Sequence, residues 1–229
     1  MEMNDMLRKV PLFAELDDQE LRAIASIANS LDIPKKNIVF QEFDLGDSMY
    51  VILNGEVKVS TYSADGREVV LAILEKGSFF GELSLLDAEP RSATVTTMED
   101  SKLAHIRRRE LVPLLLEQPA ITLKILSETA SRLRRTSRVL ERISSMDVPH
   151  RLYAYLVDHC QRFNQQDDEG WSSTILPTHQ LLADQLSTSR ETISRAISQL
   201  KKDGVLVQGD GRGKMRVNVD ALEERLDEF

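Results

Sequence analysis

From Pro119 to Ser145 the chain carries no glycine and no further proline. A stretch of that length without a breaker reads as one long helix, paired with a second copy or packed on its own domain. Within it Thr122, Leu126, Thr129, Leu133, Thr136, Leu140 and Ile143 recur at alternating steps of four and three. That is a heptad seam, and it predicts a coiled-coil dimer with a partly polar interface at the threonines. Ile121 and Ile125 lie off the seam and are expected to pack the helix on its own domain. Asp147-Val148-Pro149 ends the helix and is the expected hinge. The helix therefore separates two folded parts of a chain of 229 residues. The expected division is 1–118, 119–147 for the dimerisation helix and hinge, and 148–229.

The part before the helix starts helically. Acidic Asp17, Asp18 and Glu20 precede an apolar face of Leu21, Ile24, Ala25, Ile27 and Ala28. From Ile33 to about His105 short β-rich runs alternate with turns. The runs are 38–40, 49–53, 57–59, 69–74, 93–96 and 102–106. The turns include Leu45-Gly46-Asp47, Asn54-Gly55, Asp65-Gly66 and Lys76-Gly77-Ser78. Short strands at this spacing predict a β-sandwich or jelly roll. The part after the hinge opens with an amphipathic helix bearing Leu152, Tyr155 and Leu156. A polar loop, Gln165 to Ser173, follows, then two short helices and a β-hairpin. The fold class is α+β.

The longest apolar run, Val69 to Leu74, is far below the ~20 residues of a bilayer span. The amino terminus lacks the apolar stretch of a secretory signal. A single cysteine, Cys160, rules out an internal disulfide and a four-cysteine metal or iron–sulfur site within one chain. The expectation is a cytoplasmic protein without a membrane partner. His105, His150, His159 and His179 lack metal-ligand spacing, and Ser84 does not sit in a nucleophile elbow. No metal and no enzymatic activity are expected.

Two constellations carry chemistry. In the first, Phe80-Gly81-Glu82-Leu83-Ser84-Leu85 precedes Pro90-Arg91-Ser92-Ala93-Thr94-Val95. Glycine lets backbone approach a ligand, a buried glutamate accepts from a sugar hydroxyl, and arginine offers a planar fork to phosphate. In the second, Thr178 and Ser189 are placed to cap two short helices about a tight turn, the helix-turn-helix arrangement. Leu182, Ala183, Leu186, Ile193, Ile197 and Leu200 form its expected core. Arg190, Glu191 and Arg195 share the outward face, with side chains that pair with guanine and cytosine edges. Residues 178–216 hold seven basic and four acidic side chains, a local +3 on a chain of net charge −8. A basic head on an acidic body suits a DNA binder. Gly204 ends the second helix. Val205-Leu-Val and Met215-Arg-Val-Asn-Val flank a glycine-rich tip bearing Arg212 and Lys214, the expected wing.

The first constellation, with Val51-Ile52-Leu53-Asn54-Gly55-Glu56-Val57, resembles the phosphate-binding cassette of cyclic-nucleotide-binding domains. Ser189-Arg190-Glu191-Thr192-Ile193-Ser194-Arg195 resembles the recognition helix of the CRP/FNR superfamily of transcription regulators, in its cyclic-AMP-receptor branch. Both motifs stand in the expected order, and the resemblance covers roughly residues 10–219. It implies that Glu82 binds the ribose 2′-hydroxyl, that Arg91 and Ser92 bind the cyclic phosphate, and that Gly81, Leu83 and Ser84 complete the cassette. It places Val59 and Leu71 in the pocket lining. It pairs Arg132 with Glu82, and puts Thr136 and Ser137, one from each subunit, on the adenine. The implied effector is a cyclic nucleotide, cyclic AMP first. It also implies that Arg190, Glu191 and Arg195 read a TGTGA-like half-site of double-stranded DNA. Thr178, His179, Ser189, Thr192, Lys201, Arg212 and Lys214 join them in the DNA-contacting set.

The sequence departs from the branch at three places. Ala72 stands where a pocket serine is usual. Ser187 replaces the glycine of the helix-turn-helix turn. RNA polymerase is an implied partner, but the loop Gln165 to Ser173 does not match the family's polymerase-contacting loop. Two alternatives stay open at this point. One is the same DNA-binding role with cyclic di-GMP, cyclic GMP or no ligand. The other is a cyclic-nucleotide regulatory subunit of a partner enzyme.

Overall fold

The computed structural model describes residues 3–14, 16–63, 66, 68–163, 166–167, 169–211 and 213–227. They fall into two compact units, Met1–Arg135 and Thr136–Phe229. In the first, α1 (Met3–Leu7), a 3₁₀ turn (Pro11–Phe13) and α2 (Asp18–Ile27) precede β1 (Ala28–Ile33), β2 (Ile38–Phe40), β3 (Ser48–Asn54), β4 (Glu56–Tyr62), β5 (Glu68–Glu75) and β6 (Phe79–Phe80). Then come α3 (Glu82–Asp87), β7 (Thr94–Thr97), β8 (Ser101–Arg107), α4 (Arg108–Glu117) and α5 (Pro119–Ser145). The strands pair antiparallel in two four-stranded sheets, ordered β1-β8-β3-β6 and β2-β7-β4-β5. This is the jelly-roll sandwich that the strand spacing predicts. Ile52, Val57, Phe80, Val95 and Leu103 form a core cluster from strands of both sheets. A second cluster joins β3 and β8 to α1, α2, α4 and the start of α5, where Ile121 and Ile125 are buried. The division between units therefore falls inside α5, since its first turns belong to the core of the first unit.

Helix α2 starts where its acidic residues indicate. Asp17 Oδ1 accepts from the backbone N–H groups of Gln19 and Glu20, both at 2.8 Å, and Glu20 accepts back from the Asp17 N–H at 2.9 Å. That is a reciprocal capping box. Ala28, read as part of the apolar helix face, instead begins β1, because backbone pairing with Ile106 takes over. Strand β1 carries little apolar alternation and is mostly exposed, so no period-two signal marks it. Helix α4 is also unmarked in the sequence, since Pro113 lies inside it.

The second unit continues from α5 through α6 (Val148–Phe163), β9 (Trp171–Ile175), α7 (His179–Gln185), α8 (Arg190–Lys202), β10 (Leu206–Gln208), β11 (Lys214–Asn218) and α9 (Val219–Asp227). The interruption after Ser145 is as expected. Asp147 Oδ1 accepts from the His150 N–H at 3.0 Å, which caps the new helix, and Pro149 lies in its first turn. One expectation is corrected. Trp171 to Ser173 are not loop but strand, paired with Asn218, Val217 and Arg216 of β11. Burial alternates along β9, with Ser172 and Thr174 inside, but the inward residues are polar and give no hydrophobic signature. The wing is thus a three-stranded sheet, β10-β11-β9.

The turn between α7 and α8 shows what Ser187 does. Its φ is 51°, in the left-handed region. The Thr188 N–H reaches back to the Ala183 carbonyl at 3.0 Å, the six-to-one bond of a Schellman cap. A non-glycine residue pays for this conformation. Ser187→Gly is expected to stabilise the second unit by about 0.5–1 kcal/mol, after glycine's greater unfolded-state entropy is discounted. The measurement is a urea titration, read as a higher midpoint at unchanged m-value. Among the described residues no helix is long and apolar enough to cross a membrane, and no group of three or more His, Cys, Asp or Glu could hold a metal ion.

Candidate functional site

Two sites are built on this frame, one in each unit. In the first, Gly81 has φ 78° and turns the chain from β6 into α3, so the first helical residue, Glu82, is carried inward. Glu82 is 5% exposed. Its carboxylate accepts from Arg132 Nη1 of α5 at 3.0 Å. Burial pushes its pKa up, and the Arg132 charge opposes that. Arg132 also donates to the Phe79 carbonyl, lies over the Phe79 ring at 4.4 Å, and stands 3.7 Å from Glu128. The pairing of Arg132 with Glu82 implied by the sequence is therefore present, and it ties α5 to the cassette.

Arg91 is 4% exposed. Its Nη1 donates to the Gly81 carbonyl and to Ser84 Oγ, both at 2.8 Å, and Nη2 donates to Ser48 Oγ at 3.3 Å. All three acceptors are neutral. Among the described residues no carboxylate forms an ion pair with it; Asp44, Asp47 and Glu82 act only from a distance. Burial lowers its pKa from the usual arginine value, which those groups and Tyr50 offset in part. A buried cation normally keeps a counter-ion. Here a guanidinium without a directly paired carboxylate among the described residues lies in the same segment as the buried Glu82 and an exposed Ser92. That donor set fits a ligand carrying one anionic phosphate and a hydroxyl.

The remaining residues assigned to this pocket are placed as follows. Leu83 is 43% exposed and Leu71 56%. Leu71 is the extra residue of a β-bulge opposite Val59, whose register partner is Ala72. Val59 is half-buried against the sandwich core. Thr136 and Ser137 are exposed on α5, in the second unit. Two residues that the sequence reading missed touch Arg91: Phe40, with its ring 4.1 Å below Cζ, and Gly46. Neither belongs to the cassette motif, and no sequence signal links them to it.

The second site lies on α8. Thr178 caps α7 by accepting from the Leu181 N–H at 3.3 Å, and Ser189 caps α8 by accepting from Thr192 at 3.1 Å. Leu182, Ala183, Leu186, Ile193, Ile197 and Leu200 are all buried, as their spacing predicts. Arg190, Glu191 and Arg195 are exposed together, and Arg195 donates to Thr192 Oγ1 at 3.4 Å. Glu191 titrates below the usual carboxylate value, first through its own backbone N–H, then through Ser189 and the two arginines. It is thus an ionised acceptor at neutral pH. Lys201 and Lys214 are exposed, Thr178 is exposed, and His179 is partly covered. Arg216 is engaged by Asp167 at 2.8 Å and lies 5.2 Å from the Trp171 ring, which ties down one of the basic residues of the patch. Arg212 lies outside the described residues.

A jelly roll with a buried anion cassette, followed in one chain by a winged helix-turn-helix, defines a DNA-binding regulator with a nucleotide-sensing domain. Comparison with known proteins agrees. Residues 31–118 match the cyclic nucleotide-binding domain, and residues 150–225 match the Crp-like helix-turn-helix domain. The chain is 31% identical to a CRP-like cAMP-activated global transcriptional regulator of Mycobacterium tuberculosis, over 88% of this chain and 90% of that protein. It is also 31% identical to a cyclic AMP receptor protein of Thermus thermophilus, over 90% and 92% respectively. The solved catabolite activator protein of Thermus thermophilus is 30% identical, covers 95% of this chain and 99% of its own, and superposes with a TM-score of 0.55. The c-di-GMP-responsive regulator CLP of Xanthomonas campestris shares the fold at a TM-score of 0.74 with 24% identity, covering 88% of this chain and 99% of its own. The chain belongs to the CRP/FNR family of transcription regulators. It is a DNA-binding transcription regulator with a cyclic-nucleotide-binding domain, and not an enzyme.

Proposed function

We propose that this protein is a homodimeric transcription regulator whose DNA binding is gated by cyclic AMP. The observation that carries the ligand reading is Arg91, buried between neutral acceptors with no carboxylate in an ion pair with it among the described residues. Arg91 and Ser92 hold the cyclic phosphate, Glu82 accepts from the ribose 2′-hydroxyl, and Gly81, Leu83 and Ser84 shape the cassette. Val59 and Leu71 flank the ligand, and Thr136 and Ser137 of a second copy meet the base. The relatives named for cyclic AMP, with the Thr136–Ser137 pair, favour that nucleotide over cyclic GMP or cyclic di-GMP. Calorimetric titration with the three nucleotides tests the choice. Tightest binding of cyclic AMP supports it, and tighter binding of either other nucleotide reassigns the effector.

The dimer reading rests on α5. Leu126, Leu133 and Leu140, one heptad apart, are 60%, 67% and 67% exposed, with Ile143 at 39%. A row of exposed leucines on a long helix is the seam of a coiled coil. The segment 119–147 acts as dimerisation helix and hinge between the sensing part, 1–118, and the DNA-binding part, 148–229. Arg132 supplies the coupling: it is carried by α5 and donates to Glu82 Oε1, so it shares with a ribose hydroxyl the carboxylate that would accept from both. Ligand therefore repartitions Arg132 between Glu82 and Glu128, and shifts the population of α5 arrangements.

On DNA, Arg190, Glu191 and Arg195 read base edges of a TGTGA-like half-site, with the two recognition helices about 34 Å apart. Thr178, His179, Ser189, Thr192, Lys201, Arg212 and Lys214 hold the backbone. Two variants separate these roles. Arg190→Ala is expected to cost about 1–3 kcal/mol on the specific site and to relax base preference at one position. Lys201→Ala is expected to weaken binding to all sequences alike and to flatten the salt dependence by about one counterion. Fluorescence anisotropy on matched and mutated duplexes over a salt series reads both.

A further inference from the structure

Arg91 raises a physical question that its hydrogen bonds do not answer. Removing a guanidinium from water is costly, and the usual remedy is a carboxylate. A carboxylate at this place would compete with an incoming anion. The structure supplies a ring instead. The Phe40 centroid lies 4.1 Å from Arg91 Cζ, a cation–π distance. The ring face attracts the cation without cancelling its charge.

Several features of the fold aim Phe40 at this position. Strand β2 loses register with β7 between Ile38 and Phe40, and a bulge of this kind redirects a side chain. The ring is braced by Tyr50 at 5.8 Å and Phe80 at 5.9 Å, which stack on each other at 5.2 Å and 12°. Beyond Phe40 the chain turns and is fastened to Arg91 itself: the Phe43 N–H donates to the Arg91 carbonyl at 2.9 Å, and the Arg91 N–H donates to the Asp44 carbonyl at 2.8 Å. The same turn delivers Gly46 against the guanidinium. A methyl group on Gly46 would lie 2.5 Å from Arg91 Nε and 2.6 Å from Cζ. Gly46 has no positive φ to explain its presence, so the close approach is its reason.

We propose that Phe40 and Gly46 form a clamp that fixes the Arg91 guanidinium for anion binding, with Phe40 a positioning residue that stabilises the cation while leaving its charge available to a phosphate. This rests on the reading that Arg91 takes the cyclic phosphate. A guanidinium released from the clamp must be reordered when ligand binds, and affinity falls by the fraction of time it is misplaced.

The test is titration of the full-length protein with cyclic AMP, with cyclic GMP and cyclic di-GMP alongside. Phe40 is replaced in turn by phenylalanine carrying one, two and three ring fluorines, and Arg91→Ala is measured in parallel. Fluorination keeps the ring's shape and drains the negative charge from its face, so packing alone predicts no trend. Expected is a stepwise loss of affinity with each fluorine, reaching about 3- to 30-fold at the end of the series. Gly46→Ala is expected to move affinity in the same direction. A flat fluorine series beside an Arg91→Ala variant that has lost binding overturns the clamp and leaves the phosphate site standing. Undiminished binding by Arg91→Ala, or no binding of any of the three nucleotides by the unaltered protein, overturns the site reading and the clamp with it.

Discussion

Arg91→Ala is expected to weaken cyclic nucleotide binding by at least about 30-fold, since truncating one partner of a buried, hydrogen-bonded charge pair costs about 2–5 kcal/mol. The expectation follows from the state of the side chain without ligand. Arg91 is buried, its three hydrogen-bond acceptors are neutral, and among the described residues no carboxylate forms an ion pair with it. An anion that enters meets a cation already stripped of water, which strengthens the attraction relative to a surface arginine. The variant should keep its fold. Ser84 Oγ, Ser48 Oγ and the Gly81 carbonyl lose a donor, but all three are neutral, so no buried charge is left unpaired. Calorimetry with cyclic AMP provides the affinity, and a thermal melt shows whether folding is intact. Arg91→Lys should recover only part of the loss, because an ammonium cannot reproduce the planar fork.

The other large effect concerns the seam of α5. Leu126→Glu combined with Leu140→Glu places four carboxylates in a two-fold interface in place of four leucines. Burying a leucine contributes about 1.5–3 kcal/mol, so the pair of changes removes roughly 6–12 kcal/mol from the association. That is most of the ~12 kcal/mol of a nanomolar dimer, and charge repulsion adds to the loss. Sedimentation at micromolar concentration should then show the 25.9 kDa chain rather than twice that mass. Ile121 and Ile125, which lie off the seam, pack the first unit and are untouched, so the monomer should remain folded. Affinity for an inverted repeat should collapse toward that of a single half-site, because the linked second site is lost.

Much of this molecule is legible in the sequence, for identifiable reasons. The ends of α5 follow from the absence of glycine and internal proline between Pro119 and Ser145, and from the capping aspartate at 147. The helix-turn-helix is legible because its core residues recur at helical spacing and its caps are a threonine and a serine. Ser187 is recognisable as an irregular turn residue, and its left-handed backbone confirms the strain. What stays hidden lacks periodic apolar burial. Strand β1 is polar and exposed, and β9 turns Ser172 and Thr174 inward, so both are held by backbone pairing. Arg91 and Glu82 belong to a contiguous motif and can be singled out. Phe40 and Gly46 reach Arg91 only through a bulge and a turn fifty residues upstream, and nothing local in the sequence joins them.

The most direct test of nucleotide gating is the affinity of the purified protein for a labelled duplex carrying a TGTGA-like inverted repeat. It is measured by anisotropy with and without saturating cyclic AMP, at one fixed salt concentration. If ligand at Arg91 and Glu82 reorders α5 through Arg132, affinity for the repeat rises by at least about tenfold, the scale of a 1–3 kcal/mol coupling, and Arg91→Ala abolishes the increase. Equal affinity in the two conditions would contradict gating, and would leave a DNA-binding regulator whose cassette serves some other purpose.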